Sequence, residues 1–316
     1  MSLGCVFPGQ GSQSIGMLAA LAQAEPLVTQ TFQEASQVLG YDLWQLCQHG
    51  PEERLNATEQ TQPAMLAAGV AVWRVWRARG GTLPTLCAGH SLGEYSALVA
   101  SGALAFADAA RLVRERGRFM QEAVPAGQGA IAAVLGLDDA AVLDVCAAVC
   151  AALTPQIVSA VNFIAPGQVV IAGHAGAVDE ALQRLREAGA RKAIPLPMSV
   201  PVHCALMRPA AERLRAELEG AGILAPQLPV LHNADVCVHA DRGEIVAALT
   251  AQLYTPVRWT RTVEAFREHG VATLIEFGPG RVLTGLAKRI DRALVCLPVF
   301  DPASLDAALA ATRNSA

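Results

Sequence analysis

Charge is scarce in this 316-residue sequence: Asp, Glu, Lys and Arg make up 16% of it, and the formal net charge is only -4. That excludes the concentrated basic field on which nucleic-acid binding depends. No internal repeat and no low-complexity tract interrupts it, so neither a solenoid nor a disordered tail is expected. Cysteine occurs at 5, 47, 87, 146, 150, 204, 237 and 296 but never as CxxC. The one close pair, Cys146 and Cys150, falls on a predicted helix where small core residues are the ordinary occupants. No metal site is expected, and the thiols are expected to be reduced. A basic leader is also missing: MSLGCVFPGQG reaches Pro8-Gly9 at once, which points away from a secretory signal and toward the cytoplasm. No membrane span is expected, because the longest stretch without Asp, Glu, Lys or Arg, 145–178, is broken by Pro155, Asn162 and Pro166.

What is present begins with GHSLGEY at residues 89–95. The apolar TLCAGH before it reads as a strand bounded by Pro84, and the stretch after it, 94–100, has helical composition. GxSxG between a strand and a helix is the nucleophile elbow of α/β-hydrolase-like folds. Small residues two before and two after let the chain bend sharply enough to push the Ser91 hydroxyl outward at a helix N-terminus. An ordinary tight turn is the alternative.

The length calls for one large α/β unit or one carrying an insertion. From Gly129 the pattern reads strand (GAIAAVLGL), helix (138–152), two strands (IVSAVNFI and GQVVIAGH) joined at Ala165-Pro166-Gly167, helix (175–189) and strand (ARKAIPLP). This β-α-β-β-α-β order matches a ferredoxin-like unit, with ends close enough to be inserted into another domain. The expected architecture is therefore α/β: a discontinuous, α/β-hydrolase-like catalytic body of 1–123 and 198–316, with a ferredoxin-like small domain at 124–197.

On the helix predicted over 107–123, Arg111, Arg114, Glu115, Arg118 and Glu122 share a solvated face, whereas Ala109, Leu112, Val113, Phe119, Met120 and Ala123 make the apolar one. Arg116 falls among the apolar set. A buried guanidinium is costly unless an anion meets it, and Arg holds a carboxylate through two parallel hydrogen bonds. The anion is either an internal Asp or Glu, or it arrives with an acidic acyl substrate. A nucleophilic serine also needs a base. His90 adjoins Ser91, but neighbouring side chains in an elbow point apart. His203, in SVPVHCALMRPA, follows an extended approach fixed by prolines and valines and precedes a helix predicted over 205–220, a rigid mount for an imidazole. Capping that helix is its alternative role, and His232 in LHNADV is the second candidate base. Gly278-Pro279-Gly280 reads as a helix start, with a phosphate cradle as the other possibility.

Eight blocks, FPGQGSQ (7–13), GYDLW (40–44), GHSLGEYSALVA (89–100), RGRFMQEAVP (116–125), VNFIAPGQVVIAGH (161–174), VPVHCALM (200–207), QLYTPVRWT (252–260) and EFGPGRVLTGL (276–286), resemble in the same order the bacterial malonyl-CoA:acyl carrier protein transacylase family. The resemblance runs from residue 3 to about 290. It implies that Ser91 is the nucleophile, His203 the base and later the acid, and Arg116 the grip on a malonyl carboxylate. It implies an oxyanion hole from the main-chain N–H groups of Gln10 and Leu92, to which elbow geometry independently nominates Leu92. It further implies an imidazole oriented by a main-chain carbonyl near Gln252, and Asn162 lining the cleft. Malonyl-CoA, a coenzyme A thioester, would be the substrate and acyl carrier protein the transient partner; nothing in the sequence suggests obligate assembly, so a monomer is expected. No permanently bound cofactor is implied.

Two positions depart from that pattern. Val202 stands where Ser is usual, beside the base, and Ile164 where Asn is common. The bulk of Val202 is expected to disfavour a methyl group on C2 of the acyl chain. Exposed cations Arg191, Lys192, Lys288 and Arg289 are the candidates for meeting an acidic carrier. Service to a polyketide synthase would use the same chemistry with another carrier. A serine esterase is the reading from another class. It is disfavoured because ordinary α/β-hydrolases place an Asp or Glu between the Ser and a late His, whereas a long stretch of chain follows His203.

Overall fold

The structure, a computed structural model, describes residues 2–196 and 200–313. Its strands, in chain order, are β1 (Ser2–Phe7), β2 (Leu86–Gly89), β3 (Gly129–Leu135), β4 (Val158–Ala165), β5 (Gln168–His174), β6 (Lys192–Pro195), β7 (Val230–Leu231), β8 (Val271–Phe277) and β9 (Val295–Val299). They form two sheets. One is five-stranded and parallel, in the order β7-β2-β1-β8-β9. Helices cover it, so its inner strands are short runs (LCAG, GCVF, LIEF), apolar but for the one acid Glu276, without polar alternation, as a sheet buried on both faces requires. The helix Thr58–Ala78 is buried almost all round and packs Trp73 and Trp76 against Phe277, at ring separations of 5.5 Å each.

The second sheet is antiparallel, in the order β4-β5-β3-β6. One of its faces has its own core, in which Val134, Val158, Val169 and Ile171 pack against Val142, Val149, Val178, Leu182 and Leu185 of the helices Asp139–Ala152 and Ala175–Glu187. Its other face, with Ile131, Val161, Val170 and Ala172, meets Cys204 and half-buried Val202 and Leu206. Main-chain bonds between Val161, Phe163 and Val257 stitch β4 onto the segment leading into the helix Trp259–Glu268.

The elements expected over 129–197 occur within one or two residues of their predicted ends. β3 stops at Leu135 because Gly136 takes a positive φ of 95° and turns the chain away. The junction expected between 197 and 198 lies outside the described residues. One expectation is corrected: the helix predicted over 205–220 opens with a 3-10 turn, Ala205–Met207, and is α-helical only over Arg208–Gly220. Pro209, which has no N–H to donate, sits in the first turn, where a helix tolerates it.

Candidate active site

Ser91 follows β2 at the carboxyl edge of the parallel sheet, where open α/β sheets place their sites. Its φ is 51°, left-handed backbone that a side-chain-bearing residue adopts only under constraint. The constraint is visible at the two glycines. A Cβ on Gly89 would lie 1.8 Å from the Gly93 carbonyl carbon, and one on Gly93 would lie 2.0 Å from the Phe7 carbonyl oxygen. GxSxG is thus a packing requirement here: only glycine lets the elbow close against itself and the end of β1. Gly9 serves the same purpose, since a Cβ there would meet the His90 carbonyl oxygen at 2.4 Å. Its absence brings the loop carrying Gln10 onto the elbow. Neither the Gln10 nor the Leu92 main-chain N–H is engaged by an acceptor among the described residues.

The Ser91 hydroxyl lies 2.8 Å from His203 Nε2 and accepts a hydrogen bond from the Arg116 guanidinium at 3.1 Å. His203, also at a positive φ (62°), hangs from the end of the helix Arg242–Gln252. Its main-chain N–H donates to the Leu253 carbonyl at 3.0 Å and its Nδ1 to the Gln252 carbonyl at 2.7 Å. A carbonyl only accepts, so the ring proton sits on Nδ1 and the Nε2 lone pair faces the serine. Burial first, and then the neighbouring Arg116 cation, hold the imidazole down to about 3 against the opposing Gln252 hydrogen bond. At neutral pH the ring is an uncharged base. His90 is held down to about 4, chiefly by desolvation.

Arg116 lies on the helix Phe106–Ala123 and is 1% exposed. No carboxylate among the described residues pairs with it. Its partners are neutral: Gln62 Oε1 and Gln252 Oε1 at 2.9 Å each, and the Ser91 hydroxyl. Its Nε is buried without a partner. Of the two anions that the apolar stripe left open, the internal acid is absent. Burial lowers the guanidinium from its ordinary range without removing its charge. A cation is therefore poised beside an activated hydroxyl with capacity for an anion left unused.

Asn162, half-buried on β4, donates its amide to His90 Nε2 at 3.0 Å, which draws the antiparallel sheet onto the elbow. Val202, next to the base, is half-buried between the core of the parallel sheet and the apolar face of the antiparallel one. Arg191, Lys192, Lys288 and Arg289 are exposed, and Arg191, Lys192 and Arg289 lie at one end of the antiparallel sheet. Leu135 pairs in register with both Lys192 and Gln168, Arg289 donates to the Gln168 side chain at 2.6 Å, and Arg191 packs against Gly136.

The second candidate base is corrected. His232 is fully buried and bonded through Nδ1 to Glu94 at 2.6 Å, while the Ser91 hydroxyl faces His203 instead. The phosphate-cradle reading of Gly278-Pro279-Gly280 is corrected too. The helix Val282–Ile290 already receives an internal anion, because Glu276 accepts from the Leu283 and Thr284 N–H groups and from the Thr284 hydroxyl. Sequence reasoning missed Gln62, Glu94 and Asn233. Glu94 carried a signal, a lone acid on an apolar first turn three residues after the serine, and Asn233 adjoined a histidine already singled out. Gln62 carried none. Among the described residues no group of three or more His, Cys, Asp or Glu is disposed to hold a metal ion, and no helix is long and apolar enough to cross a membrane.

The family model described as acyl transferase domain matches residues 5–292. Over 304 residues the chain is 56% identical to the malonyl CoA-acyl carrier protein transacylase of Salmonella typhimurium, covering 96% of this chain and 97% of that one. The chain belongs to the malonyl-CoA:acyl carrier protein transacylase family. It is an enzyme, an acyltransferase. A transacylase of this family from Bacillus subtilis is 44% identical over 304 residues, 96% of this chain and 95% of that one. Among solved structures, the transacylase from Xanthomonas oryzae superposes with a TM-score of 0.96 at 54% identity, covering 98% of this chain and 99% of that one. A malonyl-transacylase solved in complex with a type II PKS acyl-carrier protein superposes with a TM-score of 0.96 at 56% identity, covering 98% of this chain and all of that one.

Proposed function

We propose that the chain moves malonyl from malonyl-CoA to the phosphopantetheine thiol of acyl carrier protein, in fatty acid synthesis, through a malonyl-Ser91 ester. The observation that carries this is the single hydroxyl shared by an uncharged His203 and a buried Arg116 with no acid partner. His203 Nε2 takes the Ser91 proton as the oxygen attacks the thioester carbon, and the N–H groups of Gln10 and Leu92 hold the resulting oxyanion. The C–S bond then breaks, the coenzyme A sulfur leaves with the proton returned by His203, and malonyl remains esterified to Ser91. In the second half-reaction the carrier thiol gives its proton to His203 and its sulfur attacks the ester carbon; the C–O bond to Ser91 breaks and the serine oxygen leaves with that proton returned by His203. Throughout, Arg116 pairs with the free malonyl carboxylate, an arrangement that disfavours neutral acyl groups, which offer the cation no counter-charge.

The Gln252 carbonyl orients the base in place of a triad acid, which weighs against the esterase reading. Asn162 and Val202 line the cleft from its two sides. The strand order β4-β5-β3-β6 supports a ferredoxin-like small domain inserted into an α/β-hydrolase-like body. We read the acting species as a cytoplasmic monomer with no resident cofactor. The likeness to a transacylase solved with a type II PKS acyl-carrier protein favours one second reading, the same reaction serving a polyketide carrier.

Radiolabelled malonyl-CoA tests the proposal. Label should appear on Ser91 and pass to holo carrier protein faster than to water. Arg116→Ala should lower malonyl transfer about 10- to 100-fold, as loss of a charge-assisted pair predicts, and acetyl transfer much less. Equal losses for the two acyl groups would remove Arg116 from its role.

A further inference from the structure

Behind the nucleophile lies a buried carboxylate that the reaction itself does not use. Glu94 is 0% exposed, in the first turn of the helix Gly93–Ala100, and no Lys or Arg among the described residues pairs with it. Its oxygens are instead saturated by three donors from distant parts of the chain. Oε1 meets His232 Nδ1 at 2.6 Å, and Oε2 accepts from the Asn233 N–H at 2.9 Å and from Gln252 Nε2 at 2.8 Å. The Gln252 amide is thereby held between opposites. Its NH2 faces two acceptors, Glu94 Oε2 and the Ser91 carbonyl (3.0 Å), and its oxygen faces the Arg116 guanidinium at 2.9 Å. An amide turned the other way would set its NH2 against a cation and its oxygen against a carboxylate, two repulsive contacts in place of two attractive ones. Asn233 continues the chain of contacts, accepting from the Ser91 N–H at 2.6 Å and donating to the Gly89 carbonyl at 2.7 Å.

We infer that Glu94 is a positioning residue for the substrate's free carboxylate: by fixing which end of the Gln252 amide faces Arg116, it aims the guanidinium into the cleft. This rests on the transacylase reading, in which Arg116 receives that carboxylate. What matters is an acceptor oxygen at Oε2 more than the charge. Gln at position 94 keeps that oxygen, and its NH2 faces His232 Nδ1, which can accept it by moving the ring proton to Nε2, now buried without a partner. Met at position 94 keeps the length and loses the acceptor.

The test compares wild type, Glu94→Met, Glu94→Gln and Gln252→Met in transfer from malonyl-CoA to holo carrier protein. In parallel, Ser91 is titrated with an uncharged fluorophosphonate, which forms an O–P bond with loss of fluoride and does not engage the arginine. The KM for malonyl-CoA rises about tenfold or more in Glu94→Met and Gln252→Met, the cost of one misdirected charge-assisted bond, and stays within about threefold in Glu94→Gln. Phosphonylation stays within about threefold in wild type, Glu94→Met and Glu94→Gln. An unmoved malonyl KM in Glu94→Met overturns the inference, as does phosphonylation that falls in step with it. Should Glu94→Met fail to fold, Glu94→Leu, which likewise offers the Gln252 amide no acceptor, decides by the same readings. Wild-type protein that takes no label from malonyl-CoA sinks the transacylase reading itself, whereas normal wild-type turnover with an unmoved KM in the variants sinks only the role of Glu94.

Discussion

His203 titrates at about 3 because burial and the Arg116 cation both disfavour imidazolium, and this has consequences for rate and for stability. Its base form persists well below the usual imidazole range. Phosphonylation of Ser91 by an uncharged probe should therefore stay flat from pH 8 down to about 5, with no inflection near 6.5. For stability, the unfolded chain binds a proton near the ordinary imidazole value of 6.5 and the folded chain only near 3, so between those values the unfolded state holds more protons. Stability contributed above pH 6.5 is lost as pH falls through that window, by about 1.4 kcal/mol per pH unit for this one group. Urea midpoints of wild type and His203→Gln at pH 7 and pH 5 should converge toward low pH; parallel curves would show that the ring is not depressed. At this scale Ser91 was legible because its glycines are sequence neighbours, and Arg116 because a cation breaks an apolar stripe. Glu94 and Gln252 were not legible as partners, since the hydrogen bond between them spans 158 positions.

The elbow works as an element because two glycines remove atoms that would collide. Gly93→Ala puts a Cβ against the Phe7 carbonyl, main chain that cannot swing aside, so the helix Gly93–Ala100 must shift and take Ser91 with it. Transfer activity should fall by about 100-fold or more, in line with the sensitivity of catalysis to displacements near 1 Å. Gly285→Ala is the control. It lies within the helix Val282–Ile290 with open space around its Cβ, and should raise stability by about 0.5–1 kcal/mol with activity unchanged. Thermal melts beside a transfer assay check both, and equal activity in the two variants would reject the packing account. Element types were legible from periodicity and turn residues. Their ends depended on contacts such as the crowding of Gly136 by Arg191, and the 3-10 opening before Arg208 on the placement of Pro209.

Across the whole molecule, the antiparallel sheet gathers cations from two distant stretches of sequence at one edge, with Arg289 bonded to Gln168 at the end of the hairpin whose β4 arm carries Asn162. In strand register Gln168 is opposite Ala165, three residues along from Asn162, so that edge lies about 10 Å from the His90 contact. An acidic carrier docking there could thread its pantetheine arm to Ser91. Lys288→Glu with Arg289→Glu should raise the carrier KM about tenfold, more at low salt than at high, while malonyl loading from coenzyme A is unchanged. Equal loss in both half-reactions would argue against the edge.

By itself the sequence determined what is local: the elbow, the order of strands and helices, the misplaced arginine and the rigid approach to His203. Each of these is specified by residues within a few positions of one another, through backbone sterics and hydrophobic period. Only the tertiary structure decided that Arg116 faces glutamines instead of an acid, that His203 hangs from the carbonyls at the end of a later helix, and that the buried Glu94 meets the same Gln252 amide that faces Arg116. Those pairings join residues 49 to 158 positions apart. Such partners are set by how strands are ordered and helices packed, and no short-range pattern encodes which polar group a buried side chain will find.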